Sequence, residues 1–321
     1  MFRREVLKGA AATLALSCLN VQAQGAWPSK PVRIVVLFGA GGASDTLTRF
    51  VGEKLNTYFN QGFPVENKTG AGGNIGMLNV MNSPPDGYAI ASATIGTLSI
   101  NQFLYANVGY DPAKDFSYVS RIWENCNVVV VSADHPAKNM KEFIAWAKEQ
   151  PKGVTFSSSG VGTTPHLAGE LFAKRSGING VHVPFRTSAT IEVIGRTIDF
   201  AIDNVASWVP HIRAGKARAL AVTAAERWPA LPEVPTMAQA GMPDFVMTSW
   251  GAFVMPAGTP AAITGQLSKA IQEILSQPEA KERFLKIGAL AVPSTPQETA
   301  AFAAAERIKW KEIVQLSGAK L

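Results

Sequence analysis

Val32-Arg33-Ile34-Val35-Val36-Leu37-Phe38-Gly39-Ala40-Gly41-Gly42-Ala43-Ser44-Asp45 decides how this chain folds. Its first six residues form a short run rich in valine and isoleucine, which reads as a buried strand. Glycines interrupt the run, and Ser44 or Asp45 stands where a helix N-cap is expected. Beyond it, Leu47, Phe50, Val51, Leu55, Tyr58 and Phe59 recur near helical spacing, which predicts a helix through Asn60. Strand, glycine-rich turn and helix in that order are one unit of an α/β fold. Such a turn exposes backbone N–H groups at the positive end of a helix, which suits an anion. Glycine lets a ligand approach the backbone closely.

The pattern recurs twice. Thr69-Gly70-Ala71-Gly72-Gly73-Asn74 follows Phe63–Val65, and Ser158-Ser159-Gly160-Val161-Gly162-Thr163-Thr164-Pro165 follows Val154–Phe156. Further strands are expected at Tyr88–Ala93, Tyr118–Ile122, Val128–Ser132, Val181–Val183, Phe200–Ile202, Ala219–Thr223 and Trp250–Val254. Helices are expected at Asn139–Gln150, Pro165–Arg175, Thr187–Arg196, Ser207–Ala214, Pro260–Ser276, Pro278–Ile287 and Pro296–Leu316, several of them opened by a proline at N1. This alternation predicts parallel sheets with helices on both faces. Such sheets bind ligands beyond the carboxyl ends of their strands, where the glycine-rich turns lie. No long linker or internal repeat divides the chain. The segments Ser120–Asn127 and Thr248–Phe253 are read as crossing between two lobes. The first lobe then comprises 24–124 with 251–321, and the second 125–250.

The first residues set the compartment. Arg3, Arg4 and Lys8 make a basic start, Gly9–Leu19 is apolar but too short to span a bilayer, and Val21-Gln22-Ala23 is a small-residue cleavage pattern. Residues 1–23 are therefore read as a signal peptide of the Sec or twin-arginine type, which directs the chain to the periplasm. The 321 residues are 47% hydrophobic and 17% charged, the composition of a globular protein. The formal charge is +6; the leader's Arg3, Arg4, Lys8 and Glu5 account for +2, which leaves +4. That balance favours anionic ligands but is too dilute for a nucleic-acid footprint. Beyond the leader Cys126 is the single cysteine, read as a buried thiol with no disulfide partner.

Enzyme motifs fail on inspection. Each glycine turn lacks the last glycine of a dinucleotide fingerprint, since Ser44, Ile75 and Pro165 stand in its place. No Gly-x-Ser-x-Gly elbow and no phosphate loop occur, and four scattered histidines give no zinc spacing. The reading is of a non-enzyme without metal or cofactor. A secreted hydrolase with a dispersed triad stands as a distant alternative.

The motifs in order resemble the receptors of tripartite tricarboxylate transporters, the Bug-type family. The pieces that carry the likeness are Trp27-Pro28-Ser29-Lys30-Pro31-Val32-Arg33-Ile34-Val35-Val36, Gly41-Gly42-Ala43-Ser44-Asp45, Asn67-Lys68-Thr69-Gly70-Ala71-Gly72-Gly73-Asn74-Ile75-Gly76 and Asp86-Gly87-Tyr88. Gly162-Thr163-Thr164-Pro165-His166-Leu167, His182-Val183-Pro184-Phe185, Leu220-Ala221-Val222-Thr223, Val234-Pro235-Thr236-Met237 and Pro256-Ala257-Gly258-Thr259-Pro260 follow. Arg186-Thr187 and Gly195-Arg196 depart from the family's pattern. The resemblance implies a two-lobed periplasmic binding protein of type II character, an α/β fold with two crossing hinge strands. It implies a small organic acid held between the lobes and membrane components of the transporter as partners. A sensor subunit presenting ligand to a membrane kinase is the alternative, and a monomer is expected.

The residues expected at the ligand are Phe38, Ala40, Gly41, Gly42, Ser44 and Asp45 of the first turn and Thr94 after a strand. Ser158, Gly160, Gly162, Thr163, Thr164 and His166 of the third turn join them, with Arg186 and Asp203. Hydroxyls add donors without charge. Asp45 reads equally as a helix cap, and His166 reads better as a brace for its loop than as a ligand contact. Arg186, between a strand and a helix, is expected to take a second carboxylate in a bidentate pair, against its reading as a solvated loop arginine. Phe38, Trp123, Trp208 and Trp250 are candidates to stack on an aromatic acid. The expected ligand is a dicarboxylate, aromatic ones included.

Overall fold

The computed structural model describes residues 27–158, 160–185 and 188–318. The signal-peptide reading and Arg186 lie outside the described residues. In chain order the elements are β1 (Arg33–Val36), α1 (Ala43–Phe59), β2 (Val65–Asn67), α2 (Asn74–Met81) and β3 (Ala89–Thr94). A π-helical turn (Gly96–Ile100) runs into the short α3 (Asn101–Leu104). Then come β4 (Phe116–Ser132), α4 (Met140–Lys148), β5 (Val154–Ser158), α5 (Thr164–Ser176), β6 (Gly180–Pro184), α6 (Thr190–Ile194), β7 (Phe200–Asn204), α7 (Val205–Arg213) and β8 (Ala217–Val222). β9 (Thr248–Pro256), α8 (Ala261–Ser276), α9 (Pro278–Lys286), β10 (Leu290–Ala291) and α10 (Pro296–Ser317) complete the described chain.

The strands line up as β2-β1-β3-β9-β4-β7-β5-β6, with β8 and β10 also on β4. Pairing is parallel within β2-β1-β3 and within β6-β5-β7. The middle is different. β9 runs antiparallel to β3 and β4, and β4 runs antiparallel to β7 and β8. The two segments read as Tyr118–Ile122 and Val128–Ser132 are one strand, β4, whose polar centre Glu124-Asn125-Cys126-Asn127 is still extended. That centre is where partners change: β4 pairs with β9 as far as Cys126 and with β7 from Asn127 onward. Its 17 residues thus belong to both halves of the molecule. At the same level the returning chain is pinned, because Met247 N–H donates to Thr223 O and Thr223 N–H to Asn127 O, both at 2.9 Å.

Local chemistry explains the helix starts. Asn139 accepts from Glu142 N–H at the head of α4, and Thr295 with Glu298 forms a reciprocal capping box at the head of α10. Apolar faces then close on the sheet. One core lies between β1, α1, α8 and α9, and another beneath α7 around Trp208. A third runs without a break from Val35 and Met77 through Trp250 and Trp310 to Phe156 and Phe200, so it joins the halves on the side covered by α10. Fully burying one such apolar side chain stabilises the fold by about 1.5–3 kcal/mol. Polar anchors sit inside this third core: Trp250 and Trp310 both donate their indole N–H to Glu306, at 3.0 and 2.9 Å. Cys126 is buried and free, and burial pushes its thiol pKa up, which keeps it unreactive.

Candidate ligand-binding cleft

The turn after β1 and the turn after β5 open on one cavity of about 320 Å³. Each is built by the same local device. Gly41 and Gly162 have φ of 83° and 81°, a left-handed conformation that glycine adopts without strain. In each turn the N–H of that glycine folds back onto the side chain four residues later. Gly41 N–H donates to Asp45 Oδ2 at 2.9 Å, and Gly162 N–H to His166 Nδ1 at 3.1 Å. The next residue caps the helix: Gly42 for α1 and Thr163 for α5. Helix geometry leaves the first amides of α1 and α5 without intrahelical acceptors, and both ends lie at the cavity.

The cap of α1 is thus neither Ser44 nor Asp45, as the sequence had suggested, but Gly42, without a side-chain bond. The reason is the fold-back itself. Asp45 is taken up one turn later, where it accepts from Gly41, from Arg49 Nε and from Asn67 Nδ2. Burial pushes its carboxyl pKa up, but the bonds from Arg49, Gly41 and Asn67 pull harder, and the net shift is downward. Its charge is therefore held in place and offset by Arg49.

Of the residues singled out from sequence, Phe38, Gly42, Ser44, Asp45, Thr94, Gly162, Thr163 and Thr164 line this cavity. Gly41 and Gly162 spend their N–H groups on Asp45 and His166, so neither amide is free for a ligand. Ala40, Gly41, Ser158, Gly160, His166 and Asp203 are not on the lining. Ser158 Oγ sits behind the turn, donating to Gly160 O at 3.1 Å and sharing a 2.7 Å bond with His182 Nε2. His166 braces Gly162, the role favoured from sequence. Asp203 accepts from Ser188 Oγ and from Asn204 N–H, and its neighbour Asn204 faces the cavity instead. Trp123 lines the cleft, whereas Trp208 and Trp250 are fully buried in cores.

Several lining residues escaped the sequence reading. The π-helical turn and α3 bring Ile100, Asn101 and Tyr105 to the cavity. They are fixed there by Asn74, whose Oδ1 accepts from Asn101 Nδ2 at 2.7 Å and from Tyr110 Oη at 2.8 Å. The crossing strands supply Asn125 and Ser249 beside Trp123, which the sequence had already offered. Trp123 can lie flat there because Gly251 opposite it has no side chain; a Cβ at Gly251 would fall 2.3 Å from the indole nitrogen. Four polar atoms on lining residues are buried without a protein partner: Ser44 Oγ, Trp123 Nε1, Asn125 Oδ1 and Asn204 Oδ1. A buried polar atom costs about 1–3 kcal/mol when unsatisfied, so a polar partner at any of these four atoms would be stabilising. His166, Glu170 and His182 also converge to within 4.8 Å behind the turn, a set that residue spacing alone did not reveal. Because Gly162 N–H occupies the Nδ1 lone pair, the neutral His166 ring carries its proton on Nε2 and turns that proton, not a lone pair, toward Glu170.

Two mixed α/β halves that share crossing strands, with a cavity edged by two helix N-termini, define a periplasmic binding protein fold. The chain belongs to the tripartite tricarboxylate transporter family of receptors, whose family model matches residues 47–319. It is 33% identical to BugT of Bordetella pertussis over 298 residues, which covers 92% of this chain and 91% of that protein. Rpa4515 of R. palustris with adipate superposes with a TM-score of 0.84 at 33% identity, over 92% of this chain and 100% of that one. MatC (Rpa3494) from Rhodopseudomonas palustris with bound malate does so with a TM-score of 0.79 at 28% identity, over 90% of this chain and 100% of that one. The Bug-type resemblance read from the motifs is therefore correct.

Proposed function

We propose that this chain is an exported receptor that captures a small dicarboxylate, aromatic ones included, between its lobes. It then delivers the ligand to the membrane components of a tripartite transporter, acts as a monomer and performs no chemistry. One observation carries this: the N-termini of α1 and α5 face one cavity whose buried Ser44, Trp123, Asn125 and Asn204 atoms lack protein partners. Helix N-termini and neutral donors stabilise a carboxylate without the strong hold of a direct ion pair, which suits a receptor that must let go. The adipate and malate bound by similar proteins support the class of ligand.

The lobes are taken as 24–124 with 251–321 and as 125–250. The change of partners at Cys126–Asn127 and the pinning of Met247 support crossings near those limits. Closure would rotate the lobes about β4 and β9. The unbroken core under α10 would keep that side shut while the cleft side moves.

A thermal-shift screen of mono- and dicarboxylates tests the reading. A true ligand at a hundred times its dissociation constant raises stability by about 2.7 kcal/mol, and calorimetry should recover it unaltered at one per chain. No shift with any organic acid, or release of a chemically changed product, would remove the receptor reading. Arg186→Ala should weaken a diacid more than its monoacid analogue, by about 10- to 100-fold. Equal losses for both would dismiss a distal-carboxylate role. Small-angle scattering at saturating ligand should show a smaller radius of gyration.

A further inference from the structure

We propose that His166 is a proton-sensitive positioning residue: as a neutral imidazole it holds the turn 160–164 in the shape that aims α5 at the cleft, and its protonation loosens the receptor's grip. This rests on the receptor reading of the cleft. The geometry requires a neutral ring. Gly162 N–H points at Nδ1 from 3.1 Å, and a backbone N–H can only donate. Nδ1 must therefore offer a lone pair. A second proton on the ring would set two N–H groups against each other and expel one of them. Gly162, at φ 81°, is followed directly by Thr163, the cap of α5, and by Thr164 on the cavity wall. A shift of Gly162 would therefore be felt at the ligand.

The surroundings set when this happens. The titratable groups facing His166 are Glu170, on its own helix with Oε1 3.8 Å from Nε2, and His182 from β6, with ring centroids 4.2 Å apart. Burial lowers the pKa of His166 and raises that of Glu170. Burial first, then the neighbouring His166, brings His182 down to about 4. Charging both rings at this separation is unfavourable, so the pair stays neutral at neutral pH and takes up protons in acid. His182 reaches the same turn by a second path, through Ser158 Oγ to Gly160. The Nδ1 brace of His166 holds only while its imidazole is uncharged.

The first test needs no ligand. Long-range proton–nitrogen NMR of the ligand-free protein should find the His166 proton on Nε2. The Gly162 amide signal should then move with the His166 midpoint as the pH falls from 8 to 4.5. A proton on Nδ1, or a Gly162 signal indifferent to that titration, overturns the proposal whatever the protein binds. The second test uses adipate as probe. His166→Asn places an oxygen where Nδ1 stood, so it should bind adipate like the parent at pH 8. Adipate's own carboxylates take up protons toward pH 4.5 and weaken both proteins alike, so the parent should fall about five- to tenfold below the Asn variant there, the worth of one neutral hydrogen bond. His166→Ala should bind weakly at every pH. An Asn variant as weak as the Ala variant would show that bulk, not the acceptor, matters, and would refute the idea. Failure of adipate and of every other acid to bind would count against the receptor reading, while the NMR result would still decide the role of His166.

Discussion

The two turns that face the cleft share one backbone and differ in one side chain. In each, a left-handed glycine sends its N–H to the residue four places on, and the residue between glycine and helix is the cap. The first turn is braced by a carboxylate with three kinds of donor around it, Gly41, Arg49 and Asn67. The second is braced by an imidazole backed by another imidazole and by Glu170. The same shape is thus held in one half of the molecule by a group that keeps its charge at any ordinary pH. In the other it is held by a group that must stay uncharged. One fold device, repeated, is braced by a charged carboxylate at one edge of the cavity and by a neutral imidazole at the other.

The sharpest way to break this comparison is to remove the carboxylate brace. Asp45→Ala removes the acceptor shared by Gly41 N–H, Arg49 Nε and Asn67 Nδ2; Arg49 is half-exposed and keeps Val65 O and Asn67 Oδ1, so the loss should be about 1–2 kcal/mol. Urea unfolding should show a lower midpoint with an unchanged slope. Asp45→Asn keeps one acceptor and should lose less. A loss for Asp45→Ala below about 1 kcal/mol would mean that the turn does not depend on its brace.

The next effect separates the two braces by pH. Asp45 has a folded pKa below its ordinary 3.8, so it contributes stability above that value and loses it as pH falls through the lowered one. His166 and His182 have folded pKa values below 6.5, so the unfolded chain takes up protons first as pH falls. Their contribution is whole above 6.5 and drains away toward about 4, the value for His182. His135, lowered chiefly by burial, adds to the same leg. Unfolding free energy should therefore decline between pH 6.5 and 4, and the double variant His166→Asn, His182→Asn should flatten that decline in part. An equal decline in parent and variant would assign it to His135 and dissolve the contrast between the turns.

How far the sequence revealed this depends on the range of the signal. The strand, glycines and helix of Val32–Phe59 were legible because each feature is local: an apolar run, flexible glycines and a 3.6-residue period. The fold-back onto Asp45 and His166 was only half legible, since a carboxylate or imidazole in a first turn serves equally as cap, brace or ligand contact. The π-helical turn gave no period to read. Gly96-Thr97-Leu98-Ser99-Ile100 continues an apolar strand, and the groups that bond it and the residue after it, Tyr110 on Thr97 O and Asn74 on Asn101, come from elsewhere in the chain. Asn204 read as a strand-end residue, and Asn125 was not singled out, until β4 and β7 were placed side by side, with Asn127 against Asn204. Reading β4 as two strands has the same origin. A polar centre usually ends a strand, but here it lies between two halves that share it.

The smallest expected effect comes from exchanging the caps. Gly42 has φ −70° and ψ 166°, an extended conformation open to any residue, and a Cβ there would meet only Gly39 O at an ordinary 3.7 Å. Gly42→Ser should therefore fit, give α1 the side-chain cap that α5 already has in Thr163, and raise stability by a few tenths of a kcal/mol, about 0.3–0.5. The reciprocal change, Thr163→Gly, should cost a similar amount or slightly more, because Thr163 Oγ1 also donates to Gly160 O at 2.6 Å. Both positions line the cavity, so binding should respond in a different sense from folding. The serine hydroxymethyl would enter the space beside the α1 amides and compete with a carboxylate for them. Gly42→Ser is thus expected to be more stable and to bind more weakly, which paired urea unfolding and calorimetry would show. If the variant gained stability and kept full affinity for a ligand that stabilises the parent, the α1 end of the cavity would not be where that ligand sits. The two turns would then share a shape without sharing a task.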